Sequence, residues 1–526
     1  MRSKTAWWLA SPRRCAKHEL RRPQRGARHQ GMSDLKQRMA AGAAWLVLFR
    51  LIERGIGFIS TLILARLLVP GDFGLVAMAT AILAALELMG AFSFDMALIQ
   101  NQNAQREHYD TAWTFDVGFG LLKALAMLAL AYPSAHFFDE PRVAPVMMAL
   151  SVAVALQGFE NVGVVAFQKD LEFHKEFWFG LTKKIIGFIV TISLALWLRS
   201  HWALVGGIIA LRLTGLVLSY RLHPFRPKLS MARAGELFNY SKWLLLNNLL
   251  IFLNNRGTDF IIGRVSGARA LGLYSVSYEL ANLPTTELVW PISRAVFPGY
   301  SRLAESRPQL CAAFLQVIGM VALLTVPAGA IIGLLAEPVV MLLLGEKWLE
   351  AVPLIQVLAV FGIFRSLHGP TGSIYLALGK PRVVAFLQCV QLGIAAALMI
   401  YCVPKWGAIG AAYSLSIAAF FAMTANYAIV LGELSLPLSR LLGVVWRTAA
   451  GLLGMILVTS LLGAALGQPN GVAGLVVNLA VLTLIGLLAY IATVLVCWRL
   501  VGSPSGAEST GIGFVRQRLQ KSRERR

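Results

Sequence analysis

Charge is what this chain has least of: Asp, Glu, Lys and Arg make up 14% of 526 residues, against 57% hydrophobic. A soluble protein of this length needs far more charge to cover its surface, so that class is excluded. Long polar segments are missing as well. The longest polar interval, from about Arg221 to Lys242, is too short for a globular domain. That argues against membrane polymerases, ligases and glycosyltransferases, which need a catalytic loop with acidic or metal-binding residues. Cysteine is sparse and scattered: Cys15, Cys311, Cys389, Cys402 and Cys497 form no CxxC pair. They read as small buried hydrophobes, not as disulfides or metal ligands. The sequence has no GxxxxGK[ST], no HExxH and no nucleophile elbow. Asp72-Phe73-Gly74 spells the kinase DFG, but no other kinase element accompanies it. The expectation is a protein that is not an enzyme, with no cofactor and no metal.

What the chain does have is a succession of apolar runs. A run of about 20 residues crosses a bilayer as a helix. The expected spans, approximate at their ends, are 41–66, 73–98, 111–133, 144–167, 177–198, 203–220, 241–263, 271–297, 312–336, 351–377, 383–403, 407–432, 441–465 and 473–498. Gly and Pro mark the breaks, at Pro70-Gly71, Pro133, Pro298-Gly299, Gly379-Lys380-Pro381 and Pro469-Asn470-Gly471. The segment from Glu337 to Leu344 is apolar but too short to span, and is expected to lie against the outer interface. The fold class is therefore an all-α polytopic membrane protein with about 14 transmembrane helices.

The net charge of +22 invites a nucleic-acid reading, but its distribution opposes one. Basic residues crowd the two tails and alternate loops, as the positive-inside rule predicts. Lys169, Lys175, Arg226, Lys228, Arg302 and Lys380 fall on one side, and only a few bases, such as Arg142, Arg199 and Arg269, on the other. Both termini are then expected in the cytoplasm. The first 31 residues hold nine Lys/Arg and one acid, with no run long enough for a signal peptide. They read as a basic tail or as an over-extended start, with Met32 the alternative initiator.

An internal repeat sets the architecture. At a constant offset of 198, Trp45 aligns with Trp243, Ile63 with Ile261, Arg66 with Arg264, Gly74 with Gly272 and Leu75 with Leu273. A weaker echo pairs FFDEPRVAPVMMAL with LLGEKWLEAVPLIQVL. Span 1 thus resembles span 7, and span 4 resembles span 10. An even spacing gives both halves the same orientation, a parallel repeat about an axis along the membrane normal. The expected organisation is a basic tail at 1–38, a six-helix lobe at 39–221, a cytoplasmic linker at 222–240 and a second six-helix lobe at 241–432. Two further helices at 433–500 and a basic tail at 501–526 follow.

The phrases ARLLVPGDFGLVAMATAILAALELMG, ALIQ and LLGEKWLEAVPLIQVLAV resemble the Wzx-type polysaccharide flippases, in the lipopolysaccharide and exopolysaccharide exporter branch of the multidrug/oligosaccharidyl-lipid/polysaccharide (MOP) superfamily. The resemblance covers roughly Met32 to Leu500. It implies a V-shaped pair of lobes that moves undecaprenyl-pyrophosphate-linked oligosaccharide to the periplasmic leaflet by alternating access. The implied partners are that lipid-linked cargo and membrane lipid, together with a polysaccharide polymerase and a chain-length regulator, and no nucleic acid. The alternatives are a small-molecule antiporter of the multidrug branch, whose members carry twelve helices and acid-rich cavities, and a peptidoglycan lipid II flippase.

The family carries no catalytic motif, so candidate residues come from the charges inside the spans. A Lys, Arg or Asp at a helix centre costs about 2.5–3.5 kcal/mol on insertion scales, which is tolerable only facing protein or a watery cavity. Span 1 carries Arg50, Glu53 and Arg54, with the two arginines on one face, suited to a pyrophosphate. Span 7 carries Asn248, Asn255, Arg256 and Asp259, an amide-rich stripe suited to sugar hydroxyls. Lys123, Lys183, Lys184, Arg294 and Arg365 complete the cavity candidates. Glu87, Asp116, Glu287 and His368 are the candidates for proton or ion coupling. For each, a structural ion pair, a snorkelling side chain or interhelical hydrogen-bond glue is the competing role.

Overall fold

The computed structural model describes residues 25–88, 94–101, 103–467, 471–504 and 506–510, with 513, 517 and 520 singly. The described chain is helical nearly throughout. In order the helices are α1 (Arg25–Leu67), α2 (Pro70–Glu87), α3 (Phe94–Gln100), α4 (Arg106–Phe138), α5 (Val143–Gly158), α6 (Ala166–Lys169), α7 (Phe173–Leu198) and α8 (Trp202–Leu222). They continue with α9 (Ala234–Leu303), α10 (Arg307–Leu334), α11 (Ala336–Leu343), α12 (Val352–Ala377), α13 (Pro381–Leu434), α14 (Leu438–Leu466) and α15 (Gly471–Leu500). Helices α9 and α13 each contain one residue outside helical geometry, Gly267 (φ 79°) and Gly407 (φ 59°). Positive φ at these points is open to glycine and strained for other residues. Each long element is thus two helices in series: α9a (234–266) and α9b (268–303), α13a (381–406) and α13b (408–434). Among the described residues nine helices are long and apolar enough to cross a membrane, or ten if the bent pair Val143–Gly158 and Val162–Lys169 is one span. The chain is a multi-pass membrane protein.

The sequence places two breaks where the helix instead continues. Pro133 lies inside α4, which runs on to Phe138, and α9b passes Pro298-Gly299 to end at Leu303. A proline costs one backbone hydrogen bond, and a helix packed in a bundle absorbs that loss. The true stop of α4 is Asp139, a left-handed residue (φ 54°) whose N–H bonds back to the Ala135 and His136 carbonyls.

Close packing in the bundle depends on small residues, as expected where lipid supplies no hydrophobic drive between helices. A Cβ on Gly120 would lie 2.7 Å from the Gly158 Cα, so α4 and α5 touch backbone to backbone. The largest core joins α2, α4, α5, α9, α12 and α13, with Leu75, Met78, Met147, Trp348 and Leu358 fully buried. The linker before α9 is pinned to the start of α4: Asp110 Oδ1 accepts from Lys228 N–H at 2.8 Å, and Thr114 Oγ1 from Ser230 N–H at 2.9 Å.

Helices α14 and α15 pack on each other and on α10, and the chain then folds back. Ala507 approaches Gly319 of α10, and Gln316 donates to Thr510 at 3.1 Å. Arg447 of α14 meets Glu508 at 2.6 Å, with both side chains 5% exposed. Removing one partner of a buried ion pair leaves an uncompensated charge. Arg447→Ala should therefore destabilise the protein by about 3–5 kcal/mol in a denaturant titration in detergent. Replacing both partners with Met and Leu should restore most of that loss.

Candidate functional site

The first-half and second-half helices meet most closely at the end where α2 begins and where α9a turns into α9b. An added Cβ on Gly74 would sit 1.6 Å from the Ala268 carbonyl oxygen, and one on Gly272 would sit 1.8 Å from the Pro70 carbonyl oxygen. Pro70 and Ala268, like Gly74 and Gly272, are related by the 198-residue offset, so the contact is self-reciprocal about the repeat axis. No side chain fits there.

Other groups bind the same seam. Trp348 is fully buried; its indole N–H donates to the Ala65 carbonyl at 2.9 Å and its ring meets Phe73 edge-on at 5.3 Å. Arg66, the last-turn base of α1, donates to the Met341 and Leu343 carbonyls at 3.2 Å and to Leu342 as well. Those are the free carbonyls at the C-terminus of α11, where a cation is favoured. Asp72 accepts from Val69 N–H at 3.2 Å and from His201 N–H at 3.1 Å, fixing the start of α2 against the loop before α8.

Toward the bundle centre from this seam lies a cavity of about 740 Å³, lined by α1, α9a, α9b, α12 and α13. At about 1.5 Å per residue along each helix, Arg54, Asn255, Tyr278 and Arg365 lie about 15–20 Å from the seam end, which is near mid-bilayer for a core of about 30 Å. The lining has three arginines, Arg54, Arg256 and Arg365, against two carboxylates, Asp259 and Glu279. Amides come from Asn254, Asn255, Asn282, Gln388 and Gln391, and phenols from Tyr274 and Tyr278. Phe361 and Leu415 are the two large apolar side chains among the lining residues.

The charges are not equally available. Arg54 reaches Glu287 of α9b at 3.2 Å, and Arg256 reaches Asp259 at 3.1 Å. Arg365 donates to the Tyr278 hydroxyl at 2.6 Å and has no carboxylate within ion-pair distance among the described residues. Glu279 accepts from the Thr61 hydroxyl of α1 at 3.3 Å; Arg54 and Lys184 are its charged neighbours, and among the described residues no cation lies within ion-pair distance of it.

The structure sorts the sequence candidates into three groups. Arg54, Asn255, Arg256, Asp259, Arg365 and His368 line the cavity, and Glu287 holds Arg54 from just outside it. Lys123, Lys183, Glu87 and Asp116 lie in the first half instead. There Lys183 pairs with Glu160 at 3.0 Å and sits 4.6 Å from the Phe179 ring centroid. Lys123 has Glu87, Asp116 and Arg212 as charged neighbours. Lys184 approaches Glu53 at 3.7 Å, and neither of these, nor Arg50 or Asn248, is among the lining residues. The side chain of Arg294 falls outside the described residues. Sequence reasoning missed Tyr274, Tyr278 and Asn282, an i, i+4, i+8 stripe on α9b, and Gln388 with Gln391 at i, i+3 on α13a. The stripe logic applied to span 7 would have found both.

A family model described as a polysaccharide biosynthesis protein matches residues 63–353. The chain belongs to this family. The matched stretch of the polysaccharide biosynthesis protein runs from three residues before Arg66 to five after Trp348, so both halves of the seam lie inside it. Two of the three phrases that resemble the Wzx-type flippases fall in the same stretch and the third, at 343–360, begins in it; the chain is a member of that type. The chain is 26% identical over 354 residues to the lipopolysaccharide biosynthesis protein WzxC of Escherichia coli (strain K12), covering 66% of this chain and 72% of that one. It is 24% identical over 318 residues to the succinoglycan biosynthesis transport protein ExoT of Rhizobium meliloti (strain 1021), covering 60% and 64%. Among solved structures, the lipid II flippase MurJ in an inward closed conformation superposes with a TM-score of 0.69 at 14% identity, over 86% of this chain and 99% of that one. At that identity the likeness is one of fold.

Proposed function

We propose that this protein is a flippase that carries undecaprenyl-pyrophosphate-linked oligosaccharide repeat units from the cytoplasmic to the periplasmic leaflet of a bacterial inner membrane. The observation that carries this reading is the mid-membrane cavity, arginine- and amide-lined and sealed at one end by the Gly74–Gly272 seam, in a member of a polysaccharide biosynthesis family. Guanidinium groups suit a pyrophosphate and amides suit sugar hydroxyls, while the polyprenyl tail stays in lipid. Both termini are cytoplasmic in this reading, which puts the seam at the periplasmic face. The six-helix lobes at 39–221 and 241–432 rock about it to alternate access. The energy comes from an ion gradient or the membrane potential; moving one charge through 100 mV is worth about 2.3 kcal/mol, and an inside-negative potential helps an anion leave. Glu87 and Asp116 in the first half, and Glu287 and His368 by the cavity, are the groups proposed to couple ion movement to rocking. A polysaccharide polymerase and a chain-length regulator would act next on the delivered units, a link that rests on the family alone.

Depletion of the protein tests the reading. One complete oligosaccharide-pyrophosphate lipid should accumulate, inaccessible to a lectin on spheroplasts. An unchanged lipid pool with polymer still reaching the surface would favour the small-molecule antiporter. Accumulation of the peptidoglycan precursor instead would favour the lipid II reading.

A further inference from the structure

Resting on that reading, we infer that the cavity selects a cargo whose phosphate-linked sugar is uncharged, and that Glu279 enforces the choice by repelling an acidic sugar. Arg54 and Arg256 each hold a carboxylate already, Glu287 at 3.2 Å and Asp259 at 3.1 Å. Among the described lining residues, the arginine left for an incoming phosphate is Arg365, whose guanidinium is held by the Tyr278 hydroxyl at 2.6 Å. Glu279 follows Tyr278 directly on α9b, lines the same cavity and accepts from the Thr61 hydroxyl at 3.3 Å; its positively charged neighbours, Arg54 and Lys184, already face Glu287 at 3.2 Å and Glu53 at 3.7 Å. A phosphate on Arg365 therefore brings its attached sugar up to a carboxylate that shares its cations with two others. A carboxylate accepts hydrogen bonds and cannot donate, so it favours sugar hydroxyls as donors. A second carboxylate in that place meets like charge within a Debye length, so water in the cavity weakens the repulsion without removing it. The amides Asn255, Gln388 and Gln391 offer donors and acceptors without charge and do not offset the repulsion.

The test uses the full-length protein in lipid nanodiscs and two synthetic probes, a polyprenyl-pyrophosphate-linked glucose and its glucuronate counterpart. The glucose lipid should bind at least about tenfold more tightly, a gap of about 1.4 kcal/mol. In Glu279→Gln the ratio should fall toward one, because the acidic probe gains. Glu279→Asp keeps the charge and should keep the discrimination. A merely structural role for Glu279 would weaken both probes together and leave the ratio unchanged, which would overturn the inference. Equal binding of the two probes to the unmodified protein would overturn it as well, with the flippase reading intact. If neither probe binds the unmodified protein, the flippase reading itself fails and the inference falls with it.

Discussion

Gly74→Ala should abolish polysaccharide export while the protein still inserts into the membrane. The added methyl would lie 1.6 Å from the Ala268 carbonyl oxygen and 2.8 Å from the Gly272 nitrogen, both backbone atoms that cannot rotate away. The helices must part, and overpacking of this kind costs about 1–3 kcal/mol or more. That cost falls on the state in which the seam is shut. At about 1.4 kcal/mol per tenfold, 3 kcal/mol lowers the shut population by on the order of 100-fold. Gly272→Ala should behave alike, since its methyl would lie 1.8 Å from the Pro70 carbonyl oxygen. Gly55→Ala and Gly57→Ala on α1 are the controls: their methyls meet nothing within 4 Å, and each gains about 1 kcal/mol of helix propensity. Export assays and labelling of a Ser275→Cys reporter with an impermeant thiol reagent check the prediction. Both seam variants should be labelled from outside more readily. Full export by Gly74→Ala would mean that the seam need not close as tightly as it does here.

The seam also gives physical content to the phrases by which the chain resembles its family. VPGDFG supplies Pro70 to start α2, Asp72 to cap it and Gly74 to let α9b approach. Phe73 offers its ring to Trp348, which comes from the GEKW phrase more than 270 residues later. Arg66 closes the loop by capping α11. These groups tie the first half to the second through hydrogen bonds and one backbone contact, without a bond that must be chemically broken to open it. A conformational switch needs such a set of contacts, tight when shut and reversible.

The fold was legible because hydrophobic run length and Gly/Pro punctuation are local signals. Gly379, with φ 71°, ends its helix where the sequence places a break. Pro133 misled because a proline in a packed bundle is tolerated, and the stop came from Asp139, a residue with no strong sequence mark. The repeat was legible because Gly74 and Gly272 face each other and neither can be replaced without displacing the other's helix. The site was legible only in part. Periodicity gave the face of α9a that carries Asn255 and Asp259, but side-chain pairing is long-range. Nothing local in the sequence says that Arg54 belongs to Glu287 or that Lys183 belongs to Glu160. Once partners are assigned, Arg54, Arg256 and Arg365 stand against Asp259, Glu279 and Glu287, and Arg365 is the cavity arginine with no carboxylate within ion-pair distance among the described residues.

That arginine carries the second large expected effect. Arg365→Ala should reduce transport of the lipid-linked oligosaccharide by about 10- to 150-fold, the range given by losing charge-assisted hydrogen bonds of about 1.5–3 kcal/mol. The loss should exceed that of Arg256→Ala, because Arg256 is engaged by the Asp259 carboxylate while Arg365 is held by the Tyr278 hydroxyl and no carboxylate among the described residues. Arg365→Lys keeps the charge but not the planar fork, so it should recover part of the rate and not all of it. Binding of polyprenyl pyrophosphate without sugar separates this role from folding. Arg365→Ala should lose that binding while thermal stability in detergent stays close to that of the unmodified protein, since the Tyr278 hydroxyl it abandons lines a polar cavity that water can enter. Unchanged pyrophosphate binding in Arg365→Ala would move the anion site to Arg54 or Arg256, and with it the need to break an existing ion pair when the cargo enters.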